Sequence, residues 1–503
     1  MFKFFSISPF VEPFDEAKYK ALMDGLECSE INLRYVKDKL LRVDAEYYQK
    51  DSLILETVLV SMAGKTISAH NGKTDCSAFY PSITGYYSDD RNNIPFLRVN
   101  EIVDGLVVIS DKTVFLPEEI LKANSKTIAL AYPGDIIIAK GGNTLAKVGL
   151  VTDEFSVYAT CRDVIILRTG EMTDLNKFYL WAYLHGSFGQ KLMWRSASQT
   201  GQPHLTLKSI DGIHVPEYSV ALQETIERLY SQSVHYKQMA QNEYDSASAI
   251  LRSVVTTDQI DDSRVSIRSF SQSFGKTGRF DAEYYQPKYD AYCATLAQFE
   301  TTSIPVEFDV FKNSGANYAE DINDIGVIKT KQLTNSGVNT DGVESYFTNK
   351  VCAQNKSTFI ANNDVIFASM GVGSLGKVSL FSYDGDKQFV TDSTLRIYRA
   401  KETTRVLPEV LCVFLQSAIG QELIYRYVVG STGIINIYDD DMARIPIPVL
   451  NMQIQKNIAT KVQESFALRK KSKQLLEFAK QAVEMAIEQG EDAALAWLKD
   501  KVE

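Results

Sequence analysis

The sequence predicts two tandem, similar domains of mixed α/β (α+β) structure, joined by two long helices that form an antiparallel coiled coil. Three observations lead to this fold class. The segment Asp44–Gln49 (Asp-Ala-Glu-Tyr-Tyr-Gln) recurs unchanged as Asp281–Gln286. Other segments recur in the same order at a nearly constant offset. Each half of the chain also ends in a long stretch whose apolar residues are spaced as on one face of a helix.

The recurring segments cover most of each half. They pair Ile31–Arg34 with Val265–Arg268, Gly134–Ala139 with Asn363–Ala368, Gly189–Leu192 with Gly420–Leu423, and Thr200–Gly201 with Thr432–Gly433. A period this long excludes a solenoid and indicates duplication of a whole domain. The 503 residues have room for two such domains. We expect an N-terminal, partly helical segment at 1–40, a first domain at 41–216, a central helix at 217–256, a second domain at 257–450, and a C-terminal helix and tail at 451–503.

Each domain is expected to contain short strands followed by one helix. Apolar runs of strand length, punctuated by Gly, Asn and Asp, lie at 95–99, 106–109, 135–139, 148–151 and 163–167, and again at 326–330, 364–368, 377–381 and 393–398. The single helices are predicted at 176–194 and 407–427, and residues 14–26 are also expected to be helical. Each domain is therefore a mixed unit with a curved sheet.

The two long helices are predicted at 220–254 and 453–489. Their apolar residues fall mostly three, four or seven positions apart with polar residues between them, which suits a helix that packs on another helix. We therefore expect the two to pair as an antiparallel coiled coil. A helix of 35 residues is roughly 50 Å long, at about 1.5 Å per residue. The alternative is that each helix packs on its own domain.

Composition is that of a soluble globular protein, with 45% hydrophobic and 23% charged residues. No apolar stretch approaches the ~20 residues of a membrane helix, and the N-terminus lacks the pattern of a signal peptide. The six cysteines are scattered without a Cys-x-x-Cys pair, so we expect a reduced, cytoplasmic protein without a metal site. The net charge of −10 argues against a general nucleic-acid coat, but not against DNA binding through a local basic face.

Taken together, the duplicated order, the Asp-Ala-Glu-Tyr-Tyr-Gln segments, the Gly-rich turn after 134–139 and the passage from Ile445–Pro448 into a long helix resemble the specificity (S) subunits of type I restriction–modification enzymes. The resemblance covers nearly the whole chain, although the segment before residue 30 is longer than is typical. It implies a DNA-recognition subunit without catalytic activity or cofactor. Each of its two target-recognition domains would read one half of a bipartite double-stranded DNA sequence across a gap.

The resemblance also implies partners. The long helices would act as a spacer and would dock two adenine-N6 methyltransferase subunits, and restriction (translocase) subunits would join that core. We expect the outward faces of the helices to stay free for this contact, with Arg228, Lys237, Arg469 and Lys473 as examples. The chain has no Pro-Pro pair and hence no Asn/Asp-Pro-Pro-Tyr/Phe motif, so any methylation belongs to another chain.

The segment Gly371–Lys377 (Gly-Val-Gly-Ser-Leu-Gly-Lys) satisfies Gly-x-Gly-x-x-Gly and nearly satisfies the phosphate-binding P-loop pattern. Both nucleotide motifs must open a helix, whereas Val378–Phe381 is expected to form a strand. The equivalent segment, Gly141–Lys147, keeps the lysine but loses the glycine pattern. We therefore predict a strand–turn–strand hairpin in both domains, with Lys147 or Lys377 within reach of a DNA phosphate.

Candidate DNA-contacting residues cluster in these turns and in the loops that follow the domain helices. Arginine pairs well with guanine edges, and glutamine or asparagine with adenine, because each can form two hydrogen bonds to one base. The candidates are Lys140, Asn143, Lys147, Arg195, Gln199, Gln202 and His204 in the first domain, and Lys331, Gln332, Ser374, Lys377, Arg426, Tyr427, Ser431 and Asn436 in the second. Weaker candidates are Arg91, Arg98 and Lys329. The alternative for any one of them is an ordinary solvated loop position.

The carboxylates of the repeated segments, Asp44, Glu46, Asp281 and Glu283, are expected to be structural: they would cap or pair while the adjacent tyrosines pack. No Ser–His–Asp or Cys–His arrangement is recognisable. Two functions remain as alternatives to DNA recognition. One is a coiled-coil scaffold whose duplicated domains bind protein partners, and the other is an enzyme with its own nucleotide site.

Overall fold

The computed structural model describes residues 15–26, 29–38, 41–62, 64–110, 112–197, 203–256, 265–319, 324–430 and 435–502. The chain forms two compact units. The first comprises Met1–Gln232 and Gln474–Glu503, and the second comprises Ser233–Lys473. Each contains one of the two repeats, and both long helices begin in one unit and end in the other. None of the helices in the described ranges has the length and apolarity needed to cross a membrane.

The first unit contains two main sheets. One has the strand order Lys73–Asp75, Val164–Arg168, Ile136–Ala139, Val148–Leu150, Leu106–Val107 and Ile102–Val103. The other has the order Val114–Leu116, Ile94–Leu97, Tyr158–Thr160 and Leu130–Ala131. A short antiparallel pair, Lys65–Thr66 with His214–Val215, joins the start of the repeat to its end. The sheets pack through residues such as Ile137, Ile166 and Phe115, which are buried.

The second unit repeats this plan. One sheet has the order Phe308–Phe311, Leu395–Ala400, Val365–Ala368 and Val378–Leu380, and the other has Tyr346–Phe347, Ile325–Ile328 and Phe389–Thr391. The closing pair is Thr301–Thr302 with Ile447–Pro448, and a small hairpin pairs Leu333–Thr334 with Gly337–Val338. In both units a central strand pairs in parallel with a later one: Ile94–Leu97 with Tyr158–Thr160, and Ile325–Ile328 with Phe389–Thr391. The predicted strands are thus present in both repeats.

Short helices complete each unit. In the first they are Glu16–Met23, Leu33–Asp38, Ala45–Tyr48, Lys50–Ser61, Ile67–His70, Thr84–Tyr86, Val99–Glu101, Glu118–Ala123, Gly142–Thr144 and Leu207–Asp211. In the second they are Phe274–Thr277, Ala282–Tyr285, Pro287–Leu296, Ile304–Glu307, Thr330–Gln332, Asn349–Gln354 and Asp439–Met442. The helix expected at 14–26 is therefore present as Glu16–Met23.

One helix was expected after the strands of each repeat, and that expectation is wrong. The structure has two consecutive helices: Lys177–His185 and Ser187–Ser196 form the first helix pair, and Pro408–Gln416 and Ala418–Arg426 form the second helix pair. The breaks fall at Gly186 and Ser417, both in extended conformation. An extended residue interrupts the helical hydrogen bonds, so the chain turns sharply at that point. The apolar sequence continues across the break, which is why one helix was expected.

The central helix spans Val220–Val254 and the C-terminal helix spans Met452–Gln489, close to the predicted limits. In the second unit three contacts run in opposite order along them: Ser233 Oγ to Ser472 Oγ (2.9 Å), Ser465 Oγ to Ala240 O (2.6 Å) and Lys461 Nζ to Glu243 (2.7 Å). The two helices are therefore antiparallel in this unit, as expected.

The helices also pack on the repeats, so the alternative considered from the sequence is partly right. In the first unit, Gln223 accepts a hydrogen bond from Asn176 N (2.8 Å), and Glu484 accepts one from Ser187 N (2.6 Å). In the second unit, Gln455 accepts one from Leu407 N (2.9 Å), and Tyr244 donates to Gln416 (2.5 Å). Each unit thus receives a segment of both helices.

Two of the residues expected to be free on the helix surfaces are engaged. Arg469 donates to Gln241 (3.0 Å), and burial lowers its pKa below the ordinary value. Lys473 forms an ion pair with Asp341. The tail is a separate helix, Glu491–Val502, which follows Gly490 in the left-handed region (φ 96°). Glu491 of this tail helix accepts a hydrogen bond from Ser219 N (3.2 Å) at the start of the central helix.

Candidate nucleic-acid interface

Each repeat carries a hairpin at the predicted Gly-rich segment. The first turn (residues 141–147) connects Ile136–Ala139 to Val148–Leu150, and the second turn (residues 371–377) connects Val365–Ala368 to Val378–Leu380. Equivalent hydrogen bonds close them, from Ala146 N to Ala139 O (3.0 Å) and from Gly376 N to Ala368 O (2.9 Å). A strand follows the second turn rather than a helix, so the geometry of a nucleotide-binding loop is not met. The hairpin prediction is confirmed.

Positive backbone φ angles explain part of the glycine pattern. Gly376 has a φ of 88°, and Ala146 at the equivalent place has a φ of 63°. The left-handed region costs an L-residue roughly 1–2 kcal/mol, which is why glycine is the usual residue there. The first repeat keeps this left-handed residue with alanine in place of glycine. The rest of the turn differs, because the second turn has one residue more between its closing hydrogen bonds and a further positive φ at Gly373 (71°).

A glutamine fixes each turn to the second helix of its helix pair. Gln190 Nε2 donates to Ala146 O and to Leu184 O (2.9 Å each). Gln421 Nε2 donates to Gly376 O (2.9 Å) and to Leu415 O (2.6 Å). These glutamines belong to the repeated Gly-Gln-x-Leu segments. Their recurrence in the sequence therefore reflects a contact that positions the turn.

The loop after each helix pair returns to the hairpin. His204 forms a β-bridge with Gly141, and Leu205 N donates to Lys140 O (2.8 Å). In the second unit, Asn436 bridges to Met370, and Ile437 N donates to Ser369 O (2.9 Å). A third loop joins by hydrogen bonds from Lys140 N to Asp163 O (2.8 Å) and from Ser369 N to Thr394 O (3.0 Å). We name the resulting surfaces the first edge (140–147, 161–163 and 203–205) and the second edge (369–377, 392–394 and 435–437).

The two edges hold many of the candidate residues. On the first edge, Asn143, Lys147 and His204 are exposed and Lys140 is half-buried. On the second edge, Ser374, Lys377 and Asn436 are half-buried, and Oδ1 of Asn436 has no hydrogen-bond partner among the described residues. Gln199, Gln202 and Ser431 lie outside the described residues. The structure thus brings the turn candidates and the loop candidates together within each unit.

Arg195 and Arg426 lie elsewhere. Arg195 is buried, with its side chain only 4% exposed. Its Nη1 pairs with Glu56 (2.7 Å) and its Nε donates to Tyr47 O (2.7 Å). Arg426 has a side chain 13% exposed and pairs with Asp290 (3.5 Å). A guanidinium that is held by internal acceptors cannot approach a base edge without breaking those contacts, so these positions support a structural role.

These two arginines belong to a duplicated cluster around the repeated tyrosines. In the first unit, the guanidinium carbons of Arg42 and Arg195 each lie 4.3 Å from the centre of the Tyr47 ring. In the second unit, those of Arg279 and Arg426 lie 4.6 Å and 4.9 Å from the Tyr284 ring. Cation–π attraction and the apolar faces of the guanidinium groups stabilise this arrangement. Tyr427 is also buried there, edge-on to Tyr284 (5.6 Å between ring centres).

The carboxylates of the repeated segment position the cluster. Asp44 accepts from Arg42 at 2.6 and 2.8 Å, and Asp281 accepts from Arg279 at 2.8 and 2.7 Å. These hydrogen bonds hold the pKa of each carboxyl below its ordinary value. Arg42 also donates to Ala197 O (2.6 Å), and Arg279 donates to Val428 O (3.1 Å), at the end of each helix pair. Cations at a helix C-terminus satisfy its free carbonyl groups, so Asp44 and Asp281 have the structural role that was predicted.

The remaining candidates are also engaged in local contacts. Gln332 is buried, accepts from Lys329 N (3.0 Å) and donates to Gly342 O (2.6 Å), while Lys331 pairs with Glu344 (2.5 Å). Lys329 Nζ lies 3.7 Å from the centre of the Tyr318 ring. Arg91 pairs with Glu154 (2.5 Å), and Arg98 with Glu101 (3.0 Å). These contacts favour a structural role for the remaining candidates over a role in reading bases.

Sequence reasoning overlooked two kinds of residue. Arg42 and Arg279 were detectable, because an arginine stands two positions before the repeated aspartate in both copies. Arg162 lies on the first edge, and its side chain is 61% exposed. No repeated pattern pointed to it, because the equivalent position in the second repeat, before Thr394, is Ser393. The pairing of Val164 with Ala139 and the hydrogen bond from Lys140 N to Asp163 O bring its loop to the hairpin.

One group of described side chains has metal-ligand chemistry: His70, Asp174 and Glu217. His70 is fully buried and its Nδ1 lies 3.0 Å from Asp174. However, Lys65 Nζ lies 2.6 Å from Glu217 and 3.8 Å from Asp174. An ammonium already neutralises these carboxylates, so the group does not fit a cation. The place equivalent to His70 and Asp174 in the second unit holds the pair Glu307–Arg405 (2.9 Å).

Residues 309–477 match the family model described as "Type I restriction modification DNA specificity domain". The matched residues thus form a specificity domain of this family, and they cover most of the second repeat and more than half of the C-terminal helix. The first repeat shares the recurring segments with this region, and it has the equivalent glutamine and arginine–tyrosine contacts. The resemblance to type I specificity subunits that the sequence predicted is confirmed, and DNA recognition is the function of this family.

The chain is also similar to solved structures. An S subunit of a type I restriction–modification system from M. genitalium is 10% identical, with 84% of this chain and 94% of that chain covered and a TM-score of 0.35. The HsdS subunit from Thermoanaerobacter tengcongensis is 10% identical, with 83% and 97% covered and a TM-score of 0.26. The type IIG restriction endonuclease BpuSI is 12% identical, with 38% and 29% covered and a TM-score of 0.28. No curated protein sequence matches the chain.

Proposed function

We propose that this chain reads a bipartite DNA sequence, with one half-site for each target-recognition domain. The domains are residues 41–216 and 257–450, and the helices at 217–256 and 451–503 set the distance between them. The observation that carries this proposal is the duplicated edge. In each unit the same backbone contacts bring a hairpin turn and a loop together, while the side chains on that frame differ. A common frame with different polar side chains is expected when two domains read different bases.

The residues proposed to contact DNA are those of the edges. Lys147 and Lys377 suit phosphate contacts, because an ammonium is a compact point charge. Asn143, His204 and Asn436 can donate to and accept from base edges. Lys140 and Ser374 lie beside them. Gln199, Gln202 and Ser431 remain proposed on their sequence position alone. Arg195, Arg426, Tyr427 and Gln332 are now proposed to support the frame, because their polar groups serve internal contacts.

We further propose that the chain is a non-catalytic subunit whose partners are two methyltransferase subunits and restriction (translocase) subunits. The net charge of −10 supports a requirement for partners, since affinity for a duplex depends on cations that neutralise its phosphates. The chain alone should bind specific DNA weakly, and the assembled complex should bind it tightly.

The domain assignment can be tested by exchange. Residues 50–215 are replaced by the same region of a relative, and the assembled complex selects duplexes from a random library. The limits are favourable, because Lys65–Thr66 and His214–Val215 stay together, and because the hydrogen bonds from Arg42 to Ala197 O and from Arg195 to Tyr47 O go to main-chain carbonyls. Only one half of the selected sequence should change.

The matched control exchanges residues 287–448 and should change the other half alone. If both halves change together in either exchange, one domain does not read one half-site. If neither the exchanged nor the original assembly selects any sequence, the chain is a scaffold for protein partners and DNA recognition by its domains is wrong.

A further inference from the structure

Each edge has an exposed aromatic residue beside it. Trp194 and Tyr425 are both 46% exposed, whereas the other Phe, Tyr and Trp side chains of the helix pairs are buried or half-buried. They occupy equivalent positions. Trp194 directly precedes Arg195 and Tyr425 directly precedes Arg426, and both arginines pack on the repeated tyrosine of their unit. A large ring that stays partly in water does not contribute the full free energy of apolar burial to folding. Both repeats forgo that contribution at the same position, although their sequences have diverged. Folding of the repeats therefore does not explain these residues.

Their position relative to the turns follows from helix geometry. Gln190 and Gln421 hold the turns, and Trp194 and Tyr425 lie four residues further along the same helices. Residues four apart share one face of a helix. In the second unit this is seen directly, since a Cβ on Gly376 would lie 3.8 Å from the Tyr425 ring, and the Tyr425 hydroxyl lies 3.5 Å from Leu375 O. Each ring is thus a flat apolar surface next to an edge that carries amide and ammonium groups, with the imidazole of His204 on the first edge.

We propose that Trp194 and Tyr425 contact DNA through their ring faces, packing on the deoxyribose surface of the duplex next to each half-site. This proposal rests on the proposed function and adds a contact that strengthens binding without choosing the base. Every nucleotide carries the same deoxyribose, so ring packing on it tolerates any sequence. That tolerance explains why one repeat has tryptophan and the other tyrosine at the same place, while the polar residues of the two edges differ in chemistry.

The experiment measures binding of the full chain with its partner subunits to two duplexes. One is selected from a random library by the unmodified assembly, and the other is an unrelated sequence. Trp194→Ala and Tyr425→Ala should each weaken binding to both duplexes by about tenfold, as expected for loss of one aromatic–nucleotide contact. Reselection from the library with either variant should return the same sequence. The slope of affinity against salt concentration should also stay the same, because no phosphate contact is lost.

Three comparisons make the result specific. Tyr132 lies in the same unit as Trp194, and its ring is 47% exposed. It precedes strand Ile136–Ala139, at the end of that strand away from the turn, so Tyr132→Ala should not change binding. Lys147→Ala should lower the salt slope by about one, unlike the aromatic variants. Trp194→Phe and Tyr425→Phe should retain most of the affinity, which separates a ring contact from a hydrogen bond.

The outcomes separate the possible errors. If the unmodified assembly selects no sequence, the proposed function fails. If it selects one and both alanine variants bind as tightly as the original, the proposed contact is wrong. If either variant fails to co-elute with the partner subunits in size-exclusion chromatography, the ring docks a protein rather than DNA, which also overturns the proposal. Thermal unfolding at the original midpoint confirms that a variant with weakened binding is folded.

Discussion

At the scale of single residues, the same amino acid can serve very different purposes in two nearby places. Arginine is a natural candidate for reading guanine, and both Arg195 and Arg426 lie in the last turn of a helix pair, next to the loop that leads to an edge. Burial decides against that role. Each is enclosed by a tyrosine ring and a carboxylate, and each supports the end of the loop that leads to its edge. His204, nine positions after Arg195 and exposed, is better placed to meet DNA.

Arg195→Ala should therefore reduce stability rather than change the bases recognised. The substitution leaves Glu56 as a buried carboxylate without its cation and Tyr47 O without its donor, so the first unit should lose about 3 kcal/mol. Calorimetric unfolding of the full chain measures the loss. Lys208→Ala, at an exposed position of the same unit, is the control and should leave the transition in place. A stable Arg195→Ala protein that selects an altered half-site would show that the arginine reads DNA after all.

The duplicated segments found in the sequence are now understood in physical terms. The repeated Asp-Ala-Glu-Tyr-Tyr-Gln segment is where a carboxylate orients an arginine that both caps a helix and packs on a tyrosine. That structural role could be predicted, because carboxylates at a domain boundary with adjacent tyrosines commonly pair and pack. Its distant arginine partner could not, since Arg195 is far from Tyr47 in sequence and meets it only after folding.

At the scale of elements, a glycine in each helix pair allows the two helices to pack closely. The spacing of apolar residues in the sequence does not reveal this packing. Both pairs read as one continuous apolar helix, yet the second helix folds back against the last residues of the first. A Cβ built on Gly189 would lie 2.5 Å from Leu184 Cα, and one on Gly420 would lie 2.8 Å from Leu415 Cα and overlap Phe414 O. Only glycine permits that approach. The glutamine that follows each of these glycines then reaches the turn.

Gly420→Ala should break this arrangement. Because the new methyl group would meet main-chain atoms rather than a flexible side chain, the second helix must shift, at a cost of about 3 kcal/mol. We also expect the shift to move Gln421 away from Gly376 O and to loosen the second turn. Hydrogen exchange should show faster exchange of residues 371–377, together with a lower unfolding temperature of the second unit.

Gly315→Ala is the matched control for that experiment. A Cβ at Gly315 would meet Ser393 Oγ at 3.6 Å, an ordinary contact, and its φ is not in the left-handed region. Exchange in the second turn should be unaffected. If Gly420→Ala behaves like Gly315→Ala, close packing at the helix junction does not position the turn.

At the scale of the whole molecule, we propose that the length of the two long helices sets the distance between the half-sites. The contacts of the second unit define the register needed to test it. Since Ser233 meets Ser472 and Ser465 meets Ala240, Lys237 lies opposite Leu468. Any change of length must be made at both places to keep the contacts paired.

Insertion of about seven residues after Lys237 and about seven after Leu468 preserves the heptad spacing and lengthens each helix by roughly 10 Å. Because base pairs are stacked about 3.4 Å apart, the gap between half-sites should grow by about three base pairs. Selection from a random library by the assembled complex gives the new gap. An active assembly with the original gap would remove the spacer role.

Insertion in the central helix alone serves as the control. It moves Ala240 and Glu243 by two helical turns relative to Ser233, so the contact of Ser233 and those of Ala240 and Glu243 can no longer form together. That variant should unfold at a lower temperature and should not assemble.

The sequence by itself determined the duplication, the strands, the limits of the long helices and the kinship with DNA-recognition subunits. These depend on periodicity and on short segments that can be compared along one chain. Tertiary structure alone decided which polar residues face outward. Arg195 and His204 are near neighbours in sequence, yet one is buried against Tyr47 and the other is exposed on the first edge. The reason is that burial depends on partners from distant segments, here Glu56 and Gly141, and local sequence carries no record of which partner each residue will meet.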